Sequence, residues 1–390
     1  MIFRLLPAAS IGLLSVKSNP AMVIITNLYP LPWEPNRAKF NHQQFELLKS
    51  EYALSILVPV AFPEWFKHRK QITQSDAVRY LPYFYTPKIG RRFYSVMMFL
   101  SLLIHSGFWL KRKQAKIIMA SWAFPEAVAS SWLAKLFGAR FFFKVHGSDI
   151  NQLAKDPARA KQIKHASQNA LGILSVSQAL AKEMASLGIN QEKVSVIYNG
   201  VDHQKFGVDT KRPFAQNYLL YVGNLKVDKG VTELYQGFTE VAEQHPELQL
   251  VYAGTGAMKA TIEQQAKADG LAERVHFLGS VQHALLPAWI SHAQLLALPS
   301  YAEGVPNVVL EAMACGTPVL ATTVGGIPEV MDASQCGVLI PPKDAAAVAA
   351  GLTKILTSDW DKQAIKQHAS RFSWQVNQQL FLSMLKNGEA

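Results

Sequence analysis

Two glutamates, Glu303 and Glu311, stand eight residues apart in SYAEGVPNVVLEAMACGTPVLAT (300–322), on either side of a Gly-Val-Pro turn. Gly304 lets backbone approach a ligand closely, Pro306 fixes the entry into a helix, and Asn307 is placed to cap it. A helix start of this kind presents unpaired N–H groups, which seat an anion. Glu303 in the loop and Glu311 about one turn into the helix then reach hydroxyls on either side of that anion. Such a pair suits ribose on one side and a transferred sugar on the other. A third candidate is His146 in FFFKVHGSDI (141–150), where an apolar strand ends and Gly147 follows. Its position places it at a strand end facing a cleft, with Asp149 as a cap for the next helix.

These residues need elements to position them. Short apolar runs recur as VIITN, LSILVPV, KIIMAS and FFFKVHG, then as YLLYVGN, LQLVYAG, VHFLGS, QLLALPS and PVLATT. Each is apolar throughout and followed by Gly, Ser, Asn or Pro, and helical patterns lie between them. Near-continuous apolar strands belong to sheets covered on both faces, hence to parallel α/β layers. At 390 residues, with 49% apolar and 17% charged residues, the chain suits two such domains. The seam falls at 203–216 (HQKFGVDTKRPFAQ), which is polar and aperiodic. We therefore expect an α/β protein of two doubly wound, Rossmann-like domains, 22–205 and 206–372, facing across a cleft. The terminal segment 373–390 reads as an amphipathic helix starting at Ser373, packed across the domains.

Charge is distributed unevenly. Residues 1–200 carry 25 Lys/Arg against 10 Asp/Glu, and residues 201–390 carry 14 against 18. A basic half beside a mildly acidic one points to an anionic partner for the first domain. No nucleic-acid recognition motif or zinc spacing is present, so a membrane surface is the better match. The run FYSVMMFLSLLIHSGFWL (93–110), flanked by Arg91-Arg92 and Lys111-Arg112-Lys113, fits a buried helix, an interfacial one or, at the limit of length, a spanning one. Two cysteines without paired spacing fit a reducing compartment and no metal centre. The first 21 residues read as a loose arm, or as sequence upstream of a start at Met22, rather than as a signal peptide.

Two patterns imitate other sites. GTGAMKA (254–260) has Lys259 where a dinucleotide fingerprint needs its third glycine. DWD (359–361) has the spacing of a metal-binding acidic pair, but it sits near a helix start, where a capped, solvated turn is expected.

With EGVPNVVLEAMACGTPVLAT, the stretches SVSQALAKEM (175–184), VSVIYNGVD (194–202), YVGNLKVDKGV (221–231), VYAGTG (251–256), VHFLGSV (275–281) and VGGIPEV (324–330) follow in one order. In that order and spacing the chain resembles the retaining glycosyltransferases of family 4, the group 1 type with the GT-B fold. The resemblance covers most of 22–388. It implies that Glu303 holds hydroxyls of the transferred sugar, Glu311 the ribose of a nucleotide diphosphate and Lys229 the diphosphate. It further implies that the backbone of Gly304, Val305, Pro306 and Asn307, with Gly254 on the same domain, lines the donor, and that His146 approaches the sugar.

Two departures stand out. Where relatives carry Arg after Val-Gly, this chain has Asn224, so Lys226 is expected to supply the missing charge. The first loop, NLYPLPWEPNRAKFNHQQFE, lacks the glycine pair of many relatives, leaving Trp33, Asn36 and Arg37 as acceptor-side candidates.

The implied activity is metal-independent, cofactor-free transfer of a sugar from a nucleotide-diphosphate sugar to a saccharide or lipid-linked acceptor. It would serve cell-envelope or exopolysaccharide assembly, at the cytoplasmic face of an anionic membrane. A nucleotide-sugar epimerase of the same fold and an idle sugar-nucleotide-binding scaffold remain as alternatives.

Overall fold

The computed structural model describes residues 19–86, 90–208 and 210–388, so most of the expected N-terminal arm lies outside the described residues. Among the described residues, thirteen strands form two sheets. The first contains β1 (Ala21–Ile25), β2 (Ala53–Ala61), β3 (Val78–Tyr83), β4 (Ile117–Ser121), β5 (Arg140–Val145), β6 (Gly172–Ser175) and β7 (Val194–Val196), in the order β3-β2-β1-β4-β5-β6-β7. The second contains β8 (Tyr218–Val222), β9 (Gln249–Ala253), β10 (Val275–Gly279), β11 (Leu295–Leu298), β12 (Val319–Thr322) and β13 (Gly337–Ile340), in the order β10-β9-β8-β11-β12-β13. Every pairing within the two sheets is parallel, with Val23 between Ser55 and Ile118. This is the two-domain α/β architecture that the alternating apolar runs require.

The nine expected runs are all strands. Four more, β3, β6, β7 and β13, were not anticipated. Three of these are sheet edges, where a strand is flanked on one side only and needs less apolar sequence. β7 is only partly buried and β3 carries Arg79 and Pro82. β6, Gly172–Ser175, is an interior strand that begins on a glycine.

Each sheet has its own core. Phe142, Phe143 and Ile118 are fully enclosed in the first, and Tyr252, Leu296 and Leu320 in the second. Burial of each such side chain stabilises the fold by about 1.5–3 kcal/mol. The helix Trp374–Asn387, capped by Ser373, returns Phe381, Met384 and Leu385 to the first core. The chain therefore crosses between domains twice, and the crossings are joined by the Val201 amide donating to the Phe372 carbonyl (2.8 Å).

The run at 93–110 lies within the helix Tyr94–Lys113. Met98, Leu102, Trp109 and Leu110 pack into the first core, as do the hydroxyl-bearing Ser95, Ser101 and Ser106. The outer face instead carries Val96, Leu100, Ile104 and Phe108, the last two 75% and 83% exposed. It is a core helix with an apolar outer stripe.

Both sheets reverse strand order once, between β1 and β4 and between β8 and β11. Loops leaving adjacent strands part there and open a crevice at the strands' carboxyl ends. His146 follows β5, Lys229 follows β8 and Glu303 follows β11. The fold thus delivers all three to the cleft.

Candidate active site

The loop after β11 carries Glu303 and leads into the helix Asn307–Cys315. Pro306, extended in backbone, takes the cap position, and Asn307 is the first helical residue rather than the expected cap. Its side chain is engaged elsewhere, for Asn307 Oδ1 accepts from Asn199 Nδ2 at 2.9 Å. Glu303 Oε1 accepts from Lys229 Nζ at 2.6 Å, and both side chains keep a water-facing edge. Lys229 ends a short turn closed by Gly230 (φ 65°), where a Cβ would lie 2.0 Å from the Pro299 carbonyl oxygen. Only glycine lets this turn sit close enough for Lys229 to reach Glu303.

His146 enters from the other domain. A Cβ on Gly304 would lie 2.4 Å from the His146 carbonyl oxygen, so the two loops touch backbone to backbone. His146 Nε2 shares a hydrogen bond with Ser121 Oγ at 2.8 Å. Burial, then the neighbouring Lys144 ammonium, holds its imidazole well below the usual range, hence neutral at pH 7. Asp149 does not cap the following helix as expected. Its carboxylate accepts from the amides of Gly147 (2.8 Å), His146 (3.0 Å) and Ala123 (3.0 Å), pinning the loop that presents His146.

His146, Asn224, Lys226, Lys229, Glu303 and Gly304 line a chamber of about 280 Å³. Two lysines, the carboxylates of Glu303 and Asp228 and a neutral imidazole thus share one chamber. Around the helix start lies a second chamber of about 300 Å³, lined by Asn36, Lys39, His283, Asn307 and Glu311 among others. Glu311 Oε1 meets His283 Nε2 at 2.8 Å, and His283 Nδ1 meets Lys205 Nζ at 2.5 Å.

The remaining candidates scatter. Val305 is buried in the second core. Gly254 packs its backbone against Gly223, at the ends of β9 and β8. Arg37 pairs with Glu34 at 3.4 Å, within its own turn. Trp33 donates from Nε1 to Glu64 (3.0 Å) and stacks on His68, which ties it to the helix Phe62–His68. In DWD, Asp361 caps the helix Lys362–Ala369, the role expected of it.

Sequence reasoning missed His283, Lys205 and Lys144. Lys205 lies in the four-residue helix His203–Phe206 and His283 in a turn, neither with distinctive spacing. Lys144 did carry a signal, an ammonium inside the apolar strand FFFKV. It is fully enclosed, donating to Gln44 Oε1 (2.7 Å), Asn41 Oδ1 (3.4 Å) and Asn199 Oδ1 (3.4 Å), and burial brings it down to about 7.

Residues 203–372 match the family model for glycosyl transferases group 1, and residues 47–205 match that for glycosyltransferase family 4. An uncharacterized glycosyltransferase of Methanocaldococcus jannaschii is 31% identical over 221 residues, 52% of this chain and 56% of the relative. The N-acetyl-alpha-D-glucosaminyl L-malate synthase of Bacillus anthracis is 27% identical over 259 residues, 64% of this chain and 67% of the relative. The chain spans about half the length of the first curated relatives it matches. Among solved structures, HepE of Anabaena in complex with UDP superposes with a TM-score of 0.72 at 19% identity, covering 94% of this chain and 99% of that one. That likeness is one of fold, the GT-B architecture.

Proposed function

From a chain that belongs to the group 1 glycosyltransferases of family 4, we propose an enzyme that moves a sugar from a nucleotide-diphosphate donor to a saccharide or lipid-linked acceptor, with retention of configuration and without a divalent metal. The observation that carries this reading is the Lys229–Glu303 pair at 2.6 Å, facing His146 across the domain contact. As the bond from the anomeric carbon to the diphosphate breaks, its electron pair passes to a phosphate oxygen. The Lys229 ammonium and the amides at the start of the helix Asn307–Cys315 stabilise that developing charge. The acceptor hydroxyl bonds to the anomeric carbon from the same face, and its proton goes to the departing phosphate. Glu303 and neutral His146 hold hydroxyls of the sugar, and Glu311 accepts from ribose. Lys226 supplies the cation absent at Asn224. The Anabaena neighbour, with structures holding UDP and UDP-glucose, supports a nucleotide sugar as donor.

The outer stripe of the helix Tyr94–Lys113 supports an anionic membrane as the acceptor's setting. Apolar side chains at 96, 100, 104 and 108 are flanked by Arg91, Arg92, Lys111 and Arg112. Such a stripe enters the acyl boundary while its cations meet lipid phosphates. The protein then works peripherally at the cytoplasmic face, in polysaccharide or cell-envelope assembly.

Thermal-shift binding of UDP-, GDP- and ADP-sugars at fixed salt tests the donor site. One nucleotide class is expected to stabilise wild type and to lose its effect in Glu311→Ala. No shift with any of them at millimolar concentration sinks the reading. Strong inhibition by EDTA refutes metal independence. Sedimentation with vesicles containing phosphatidylglycerol tests the membrane, and Ile104→Glu with Phe108→Glu is expected to abolish co-sedimentation.

A further inference from the structure

The segment after β12 reaches out of its own domain. Glu329, in the four-residue helix Ile327–Val330, extends its carboxylate to the helix Gln178–Ser186 of the first domain. The amides of Gln178 and Ala179 donate to Glu329 Oε2 and Oε1, both at 2.6 Å, and Tyr198 donates its hydroxyl to Oε2 at 3.0 Å. Gln178 and Ala179 are the first two residues of that helix, whose own cap, Ser177, already accepts from Leu180. One domain's carboxylate therefore satisfies two free amides at the positive end of the other domain's helix. Tyr198 brings in the strap that joins the domains.

Glu329 is also coupled to the catalytic loop. The Gly326 amide donates to the Gly304 carbonyl oxygen at 2.7 Å. A Cβ on Gly325 would lie 1.9 Å from the Glu303 carbonyl oxygen, and one on Gly326 would lie 2.6 Å from both Ser177 Cβ and Val305 Cγ2. The Gly-Gly turn is thus wedged between the Glu303–Gly304 backbone and the first domain.

We infer that Glu329 is a positioning residue, a latch that holds the domains closed and thereby fixes Glu303 against His146. It touches neither chamber and acts through the turn at 325–326. The latch is a property of the resting protein. It concerns the transferase reading only in which residues it aligns.

The test attaches spin labels to one exposed position of each domain and measures their distance distribution by pulsed dipolar spectroscopy, without ligand. Two variants remove opposite halves of the contact. Glu329→Ala deletes the acceptor. Gln178→Pro deletes one donor at a helix position where proline is tolerated, after a residue that is already extended. Each is expected to shift the population towards longer distances, and the double variant to add little, because both remove one interaction. Turnover is expected to fall about tenfold with KM for the acceptor raised, while UDP affinity, set within the second domain, stays unchanged. Unchanged distances in both single variants overturn the inference, as do fully additive shifts in the double variant. Latched distances in a protein that binds no nucleotide sugar would retire the transferase reading and leave the latch standing.

Discussion

The two walls of the cleft handle charge in opposite ways. On the second domain, Glu303 and Glu311 each have a partner within 2.8 Å, Lys229 and His283, and all four keep edges towards water. On the first domain, ionisable groups are enclosed without an opposite charge in hydrogen-bond contact. Burial pushes Glu126 up to about 8 and brings Lys144 down to about 7, it holds His146 neutral, and it raises Asp149 against three donated amides. Glu126 is fully buried. One wall therefore meets charge with water-facing ion pairs, while the other shuts its ionisable groups away and leaves neutral His146 at the chamber.

This contrast ranks the effects of mutation. Glu303→Gln is expected to lower kcat by about 10²–10³-fold, with donor affinity nearly unchanged, because it removes a charge placed where the transition state forms. His146→Asn keeps a polar group on the neutral wall and is expected to cost only about tenfold in kcat. Steady-state kinetics of the pair decides; a larger loss at His146 than at Glu303 would break the comparison.

Lys229→Met removes the cation and is expected to weaken binding of the donor's nucleotide diphosphate by at least about tenfold. The residual affinity should also depend less on salt than in wild type. Titration calorimetry at two ionic strengths reads both changes. Glu311→Ala is expected to cost about tenfold in the same assay, with its salt dependence retained.

The last effects concern stability against pH, where the enclosed groups should show two opposite slopes. Glu126 keeps its proton in the folded state between about 4.5, its ordinary value, and about 8. Its contribution is full below that window and is lost as pH rises through 8. Lys144 gives up its proton in the folded state from about 7, against an ordinary 10.5, so the cost of burying it is largest below 7 and fades as pH rises. Urea unfolding at pH 5, 7 and 9 should therefore show Glu126→Gln gaining on wild type towards pH 9, on the order of 2 kcal/mol. Lys144→Met should gain towards pH 5. Parallel curves for wild type and both variants would mean that these groups titrate normally, and the contrast between the walls would fail.

Much of this was legible because it is local. Nine apolar runs, each long enough to be enclosed in a parallel sheet, announced both domains, and Ser373 announced the last helix through its capping chemistry. The edge strands escaped, since an edge asks less of its residues. In the site, Glu303 and His146 were found at strand ends, and Lys229 through the family resemblance. Asn307 and Asp149 were given the wrong partners, because capping rules look along the chain while their side chains turn to Asn199 in the other domain and to Ala123 in a neighbouring loop.

The sequence by itself determined two α/β domains, a carboxylate pair around a helix start and the unequal charge of the two halves, because each follows from composition or spacing over a few turns of chain. Only the tertiary structure decided which residues share a chamber, that Lys144 and Glu126 are shut away from water, and that Glu329 reaches 150 residues back to Ala179. Those outcomes depend on how two separately folded sheets face each other. Burial and long-range hydrogen bonding belong to that arrangement, and no short stretch of sequence contains it.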